Sequence, residues 1–230
     1  MKTFLSSAIV NIARVEILTA GDSPRLLCFD TVSSAQLEPF ISKGEETELR
    51  VKNTIIAQNY LEDIIKGYNI TLKDAALSKE LLTLIDGGTP AEAGEAAFSG
   101  YSAPAAGTVT ERTRFTMSIY SEEKDYSGET VAVYRFTYPG CFGTPCSMSF
   151  ENGVFAAPEY TVRSRSSSGY SMRIQCLDRL PVICTNSNQA PQTPVEGDCV
   201  IAATALSVGE NALAVGELAY YTGSEWVKIS

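Results

Sequence analysis

The clearest pattern in the chain is a change of hydrophobic period between residues 64 and 88. Over residues 64–72, apolar and polar positions mostly alternate, which is typical of a half-buried β-strand. Over residues 77–85, leucine and isoleucine recur at helical spacing. The sequence therefore predicts a strand followed by one helix of about two to three turns near residues 78–86. The residues suited to cap this helix are Asp74 or Ser78 at its start and Gly87 or Gly88 at its end.

Period-two patterning and turn residues dominate the rest of the chain up to residue 184. The turns are rich in Gly, Asn, Ser and Pro, and the acidic connection at residues 121–129 has the composition of a hairpin loop. These features predict a mainly β fold with one flanking α-helix. The predicted strands are 13–20, 25–30, 47–57, 112–120 and 130–138, and a meander of 147–150, 154–163 and 170–176 with turns at 151–153 and 166–169.

Two segments lack regular patterning. Residues 89–111 are rich in Ala, Gly, Pro and Ser, and a loop of this length is uncommon in a compact domain unless a neighbour orders it. We therefore expect it to be mobile in a monomer and ordered in an assembly. Residues 185–197 have the composition of a linker, which divides the chain into a β body (1–184), the linker and a small β extension (198–230). About thirty residues cannot hold a core alone, so the extension must dock on the body or on another subunit.

Composition excludes several classes of chemistry. The 230 residues include no histidine, which removes Ser-His and Cys-His nucleophiles, imidazole bases and the commonest metal ligand. The formal net charge is −9, and the basic residues form no concentrated footprint for nucleic acid. The apolar runs are shorter than the roughly 20 residues of a membrane span. We expect a protein that is not an enzyme, binds no cofactor and does not enter a membrane.

The six cysteines fit buried, reduced thiols better than a metal site. Cys141 and Cys146 frame a four-residue gap, but a zinc site would need a second matching pair. Cys176 and Cys184 are spaced differently. A chain of this length and apolar content does not need disulfides to hold its core.

Two stretches of the sequence resemble bacteriophage tail tube (major tail) proteins. The first is LLTLIDGGT at residues 81–89, which ends the strand and helix described above. The second runs from YRFTYPG through FENGVFAAPEYTVRS, residues 134–164. The resemblance covers roughly residues 47–181. It implies a β-sandwich or small β-barrel with one flanking helix, whose subunits close into six-fold rings that stack into a hollow tube.

The resemblance also implies partners and a location. Copies of the chain would contact one another within and between rings, and a tail sheath or terminator, baseplate and tape-measure proteins would adjoin the tube. Viral DNA would pass through the lumen without specific binding, which an acidic protein favours. The protein would lie in the virion tail after synthesis in the bacterial cytoplasm. The residues that we single out for assembly contacts are Tyr101, Glu123, Asp125, Tyr126, Arg163 and Arg165.

A different class of function fits the same patterning. Aromatic-rich strands and the terminal hairpin that carries Trp226 would also suit a virion-surface or secreted carbohydrate-binding module. An enzyme that uses paired carboxylates is a third alternative. Rings or tubes in solution would favour the tube protein, and a glycan-binding monomer would favour the module. If the chain is a tube protein, we expect residues 198–230 to lie outside the tube and to be dispensable for ring closure.

Overall fold

The computed structural model describes residues 8–91, 99–154, 156–166 and 169–229, and its elements are mainly β-strands with one α-helix in that part of the chain. The strands before the helix are β1 (Ile9–Thr19), β2 (Leu26–Phe29), β3 (Val32–Ser42), β4 (Glu46–Val51), β5 (Thr54–Tyr60) and β6 (Ile64–Asp74). After the helix α1 (Lys79–Asp86) come β7 (Thr89–Pro90), β8 (Tyr101–Ser102), β9 (Phe115–Lys124), β10 (Thr130–Gly143), β11 (Glu159–Ser164) and β12 (Arg173–Leu177). The C-terminal strands are β13 (Val182–Cys184), β14 (Cys199–Ala202), β15 (Leu206–Val208), β16 (Asn211–Leu213), β17 (Leu218–Tyr221) and β18 (Trp226–Ile229).

The largest sheet curls into an open barrel. Its strands lie in the order β2-β1-β9-β10-β11-β6-β3, with β12 beside β10, and neighbouring strands are antiparallel. The strands at the two ends of this order, β2 and β3, are joined only by Asp30 and Thr31. Because two residues span a few ångströms, the two ends of the sheet must lie next to each other. The mainly β fold class with one helix is confirmed, whereas ring assembly stays a prediction.

The barrel core is built from alternate residues of its strands. These side chains are almost fully buried and pack into one cluster together with the apolar face of α1. The helix closes the barrel with Leu81, Leu82 and Ile85. The strand residues in the cluster include Val15, Ile17, Ile70, Leu72, Phe115, Met117, Tyr138, Tyr160 and Val162.

The helix begins and ends where its capping residues allow. The Ser78 hydroxyl accepts a hydrogen bond from the Leu81 N–H at 3.2 Å, and Gly87 takes the left-handed conformation with φ 82° while its N–H donates to the Thr83 carbonyl at 3.0 Å. Asp74 instead accepts the Ala76 N–H at 3.2 Å in the preceding turn. The predicted helix and two of its four candidate caps are therefore confirmed.

Two parts of the strand prediction were wrong. Residues 47–57 form a hairpin, β4 and β5, rather than one strand, because the chain turns at Lys52 with φ 53°. The predicted meander after residue 147 is also absent in the described residues. There β11 and β12 both pair with the long strand β10 and not with each other, and residues 147–150 contribute only an isolated bridge from Ser147 to Glu159. Gly153 does make the predicted turn, but no strand pair flanks it, and two residues of the turn at 166–169 lie outside the described residues.

The C-terminal strands form a small sheet on the outer face of the barrel. Its order is β13-β14-β17-β18, with β13 and β14 parallel, and a separate hairpin joins β15 and β16. Parallel neighbours need a crossover of about a dozen residues. Residues 185–197, interpreted from the sequence as a linker, supply that crossover and include a 3-10 helix at Ser187–Gln189. The predicted hairpin of β17 and β18 is present.

Apolar side chains join the small sheet to the barrel. Tyr120, Val133 and Leu177 of the barrel pack against Ile201 and Leu218 of the small sheet in one buried cluster. The extension therefore docks on the body, as its small size requires. Its predicted position outside a tube is a separate matter that only an assembly can test.

A buried polar network lies beneath this contact. Glu16 on β1 is 2.7 Å from the Arg14 guanidinium, and its other oxygen accepts a hydrogen bond from the Tyr120 hydroxyl at 2.7 Å. Arg14 also donates to the Pro181 carbonyl at 2.9 Å, just before β13. Burial raises the pKa of Glu16, while Arg14, the Tyr120 hydroxyl and Arg135 oppose that rise. The network ties the small sheet to the barrel.

Removing one partner of this network should cost more than removing both. We expect Arg14→Met to lower the free energy of unfolding by about 3 kcal/mol, because it leaves Glu16 buried without its cation and the Pro181 carbonyl without its donor. The double variant Arg14→Met/Glu16→Met should lose less, since no buried charge remains. Urea unfolding of Arg14→Met, Glu16→Met and the double variant checks this. Losses that simply add would contradict it.

The pH dependence of stability should carry the signature of Glu16. Because its pKa is raised above 4.5 in the folded chain, the folded state holds this proton more tightly than the unfolded state. The stability that this proton contributes is fully present below the unfolded pKa and is lost as the pH rises through the folded pKa. The free energy of unfolding of the wild type minus that of Glu16→Gln should therefore fall as the pH rises from below the unfolded pKa to above the folded pKa. Urea unfolding at a series of pH values measures this difference. A difference that grows with pH would show that the pKa is lowered instead.

Candidate assembly surface

A two-stranded arm extends from one end of the barrel. We define the arm as residues 43–63, which connect β3 to β6 and contain the β4–β5 hairpin. The ladder between β3 and β6 runs from the pair Val32–Asp74 to the pair Ser42–Ile64, so both strands lead directly into the arm. The arm is thus a continuation of the edge of the barrel sheet.

The neck of the arm is held by tight backbone contacts. The Gly44 N–H donates to the Asp63 carboxylate at 2.8 Å, and the Leu61 N–H donates to the Glu45 carbonyl at 3.1 Å. A Cβ at Gly44 would lie only 1.5 Å from the Leu61 carbonyl oxygen. Only glycine allows the backbone at residue 44 to approach that at residue 61 this closely, so the neck requires glycine at this position.

The arm exposes a large apolar surface. All seven residues of β5 are exposed, and so is most of β4. Monomeric proteins rarely leave a contiguous apolar surface of this kind in water, and an isolated two-stranded hairpin is marginally stable. A covering partner would resolve both problems. The exposed apolar residues of the arm and its base are Leu37, Ile41, Leu49, Val51, Ile55, Ile56, Tyr60, Leu61, Ile64 and Ile65.

The two strands of the arm differ in charge. The strand β4, whose outer edge is also unpaired among the described residues, carries Glu46, Glu48 and Arg50. The other strand, β5, reads TIIAQNY and contains neither a charged residue nor proline. One edge of β5 pairs with β4, and no strand among the described residues pairs with its other edge. Natural proteins usually protect such an edge with lysine, proline or a covering element, so an uncharged free edge is a template for pairing with another chain.

Three of the residues predicted for assembly lie together at the β9–β10 turn. Asp125 shapes that turn, because its carboxylate accepts the N–H groups of Ser127 at 2.8 Å and Glu129 at 3.0 Å. Tyr126 at the apex is fully exposed. Glu123 is 6% exposed and lies at the base of the turn.

The two predicted arginines lie at the opposite end of β9 and β10. Arg163 at the end of β11 and Arg165 just after it both project outward, since the alternate residues Val162 and Ser164 face inward and are buried. The Arg165 guanidinium lies 5.1 Å from the centre of the Phe40 ring. The structure therefore separates the predicted residues into distinct surfaces rather than one site.

Tyr101 has a different environment from the other predicted residues. Its hydroxyl donates to the Asp86 carboxylate at 2.6 Å and accepts the Gly88 N–H at 2.8 Å, which ties the loop after α1 to the end of the helix. Burial and the bond to Asp86 raise the pKa of Tyr101 to about 12. Part of the predicted mobile loop is ordered here as the β7–β8 pair, and residues 92–98 lie outside the described residues.

Sequence reasoning missed the arm, although its signal is visible. In residues 54–65 apolar side chains occur at both odd and even positions, and therefore on both faces of an extended strand. A strand that packs on the core with one face only would leave half of them exposed to solvent. Reading residues 47–57 as one strand concealed the hairpin. The structure thus adds the arm as the most conspicuous candidate for an interface.

Metal-ligand clusters, reactive thiols and membrane-spanning helices are other features that the described part of the chain could offer. No group of three or more Cys, Asp or Glu side chains there could hold a metal ion. The six cysteines are free thiols, with Cys141, Cys184 and Cys199 buried. No helix in the described ranges is both long and apolar enough to cross a membrane.

Comparison with known proteins adds little to this picture. No protein-family model matches the chain, and no curated protein matches it. Among solved structures, the chain is similar to a component of the 6-fold symmetrised cryo-EM structure of the anti-feeding prophage (AFP) baseplate. The TM-score is 0.38 and the identity 10%, over 74% of this chain and 97% of that one. A likeness at this level carries no functional argument.

The Tyr101 contact should stabilise the segment after the helix. Tyr101→Phe removes the hydroxyl that pairs with Asp86 and Gly88, so we expect a loss of about 1–2 kcal/mol in the free energy of unfolding. Amide hydrogen exchange should accelerate near residues 88–91 and 99–102. Tyr126→Phe is the matched control, because that side chain is fully exposed and should change neither quantity. Equal behaviour of the two variants would contradict a structural role for Tyr101.

Proposed function

We propose that this chain is a structural subunit of a phage-tail type of particle, in which copies join through the arm into rings that stack into a tube. The observation that carries the proposal is the uncharged, unpaired edge of β5, presented on an arm with a tightly held neck. The sequence resemblance to tail tube proteins supports the same proposal. A β-rich body with one flanking helix agrees with the fold that such a subunit needs.

Strand addition explains how the arm would act. The free N–H and C=O groups of β5 pair with an edge strand of the neighbouring copy, which extends the sheet across the interface. The apolar side chains on both faces of the arm are then removed from water. Each large side chain that becomes fully buried contributes about 1.5–3 kcal/mol before the cost of association. Repetition of one heterologous contact closes a ring when the rotation between neighbouring copies is a whole fraction of a full turn.

We further propose a symmetry for the ring and a role for its lumen. The ring is six-fold, its lumen conducts viral DNA without specific binding, and the net charge of −9 per copy disfavours adhesion of DNA to the wall. The tail terminator or sheath, the baseplate and the tape-measure protein adjoin the tube in the virion. The subunit acts without catalysis and without a cofactor.

A carbohydrate-binding module is the second candidate function. A recess of about 570 Å³ in the small sheet is lined in part by Tyr221, Trp226, Glu210, Asn211 and Glu225. Aromatic rings beside carboxylate and amide groups are suited to sugars. However, the Tyr221 and Trp226 rings lie 5.4 Å apart and pack on each other, which leaves less of each face for a ligand. We therefore favour the assembly function, which the exposed arm supports.

The assembly function is tested by placing a charge on β5. The wild-type protein, when concentrated, should form rings or tubes in negative-stain micrographs and sediment as large particles. Ile55→Lys should give a folded monomer, because a lysine on this edge must be desolvated for pairing. Val195→Lys is the matched control, since Val195 in the crossover between β13 and β14 is 48% exposed and Ile55 is 47% exposed. The control should assemble as wild type does.

Two outcomes would contradict the proposal. Tubes formed equally well by Ile55→Lys would exclude the arm as the interface. A wild-type protein that stays monomeric at all concentrations and binds glycans on an array would establish the second candidate in its place. Circular dichroism of each variant shows that loss of assembly does not come from unfolding.

A further inference from the structure

The strands β9 and β10 carry opposite charge at their two ends. We define the acidic tip as residues 122–129, which contain four carboxylates and one lysine. We define the arginine recess as the cavity at the other end, of about 550 Å³, lined by Arg114, Gly140, Arg165 and Ser166. The ten residues of β9 separate the two surfaces by about 30 Å. The two surfaces therefore carry opposite charge at opposite ends of β9 and β10.

The acidic tip is a fixed turn. In addition to the bonds that Asp125 makes through its side chain, its N–H donates to the Glu129 carbonyl at 3.0 Å and its carbonyl accepts the Gly128 N–H at 3.1 Å. Gly128 has φ 83°, which suits glycine at this position. Tyr126 projects from the apex with a relative exposure of 107%. An aromatic ring on a preorganised turn loses little entropy when it binds.

Most of the negative charge at the tip is not compensated locally. Lys124 lies 3.4 Å from Glu122, and Asn11 donates to the same carboxylate at 3.1 Å, so Glu122 is satisfied. No cation lies within salt-bridge distance of Glu123 or Glu129 among the described residues, and one oxygen of Glu123 is buried without a hydrogen-bond partner there. The tip thus presents a net negative surface around Tyr126.

The recess holds two arginines whose charges are likewise free. Arg114 lies 5.1 Å from the centre of the Phe142 ring and donates to the Gly140 carbonyl at 3.3 Å. Arg165 lies over Phe40, and its backbone N–H donates to the same carbonyl at 3.1 Å. Within the described ranges, neither guanidinium lies within salt-bridge distance of a carboxylate. Aromatic rings hold both in place without neutralising them.

We propose that the acidic tip of one copy docks in the arginine recess of the next, with the Tyr126 ring against the guanidinium groups of Arg114 and Arg165. The exposed carboxylate of Glu129 complements the same positive charge. Because the two surfaces lie at opposite ends of one molecule, the contact is head-to-tail and does not close on itself. It propagates along the strand axis and gives the stack a direction. This inference rests on the proposed function and assigns its stacking step, as distinct from ring closure through the arm.

Charge reversal tests the pairing. Glu129→Lys and Arg165→Glu should each reduce the mass of protein in tubes at least tenfold while rings persist, because like charges then face each other across the contact. The double variant Glu129→Lys/Arg165→Glu should restore stacking by exchanging the two signs. Tyr126→Ala should weaken stacking but keep the wild-type dependence on salt, because the charges of the tip and the recess remain. Glu210→Lys, a charge reversal at the exposed turn of the β15–β16 hairpin, is the control and should stack as wild type does.

Negative-stain tube lengths and sedimentation profiles separate the outcomes. Wild-type tubes should also shorten with added salt, which screens the contact. Tubes of wild-type length in both single variants, or no recovery in the double variant, would overturn the docking. Loss of the rings themselves in the single variants would also overturn it, because it would place these surfaces within the ring. Absence of rings and tubes in wild type would contradict the proposed function and this inference together. Rings and tubes in wild type that Glu129→Lys and Arg165→Glu leave unchanged would contradict this inference alone.

Discussion

The pairing of strand edges is the constraint on which this structure depends. Every backbone N–H and C=O at the edge of a sheet needs a partner or water. The barrel sheet curls until its end strands β2 and β3 lie next to each other, joined by a two-residue connection, which leaves less of its edges exposed. The arm does the opposite and carries an unpaired edge away from the body. The same requirement thus closes the body and leaves β5 open to another chain.

Strand β1 shows how the two sheets depend on one another. Its inward residues, Val15 and Ile17, fill the barrel, while Arg14 and Glu16 point outward yet are also buried, because the small sheet covers them. A charged pair in such a place contributes little net stability. It does favour one placement of the small sheet, in which the Pro181 carbonyl accepts a hydrogen bond from Arg14.

Local rules predicted the elements that local interactions determine. The helix followed from its period and from caps at Ser78 and Gly87, and the hairpin of β9 and β10 followed from two alternating runs and a polar turn. The arm was missed because Lys52 turns the chain without a glycine signal. The placement of β11 and β12 depends on the fourteen residues of β10, which offer room for both. The surroundings of Arg14 depend on a carbonyl 167 positions away, which no local pattern encodes.

The continuity of the arm with β6 has a mechanical consequence. A pull on the arm acts along β6, whereas the hydrogen bonds that hold β6 to β11 run across the strands. Such a load strains the five residue pairs between Lys73–Glu159 and Asn69–Arg163 in shear, so they must give way together rather than one after another. A load applied across the sheet would instead peel them apart singly. A particle joined through the arm would therefore resist stretching along its strands far better than it resists bending across them.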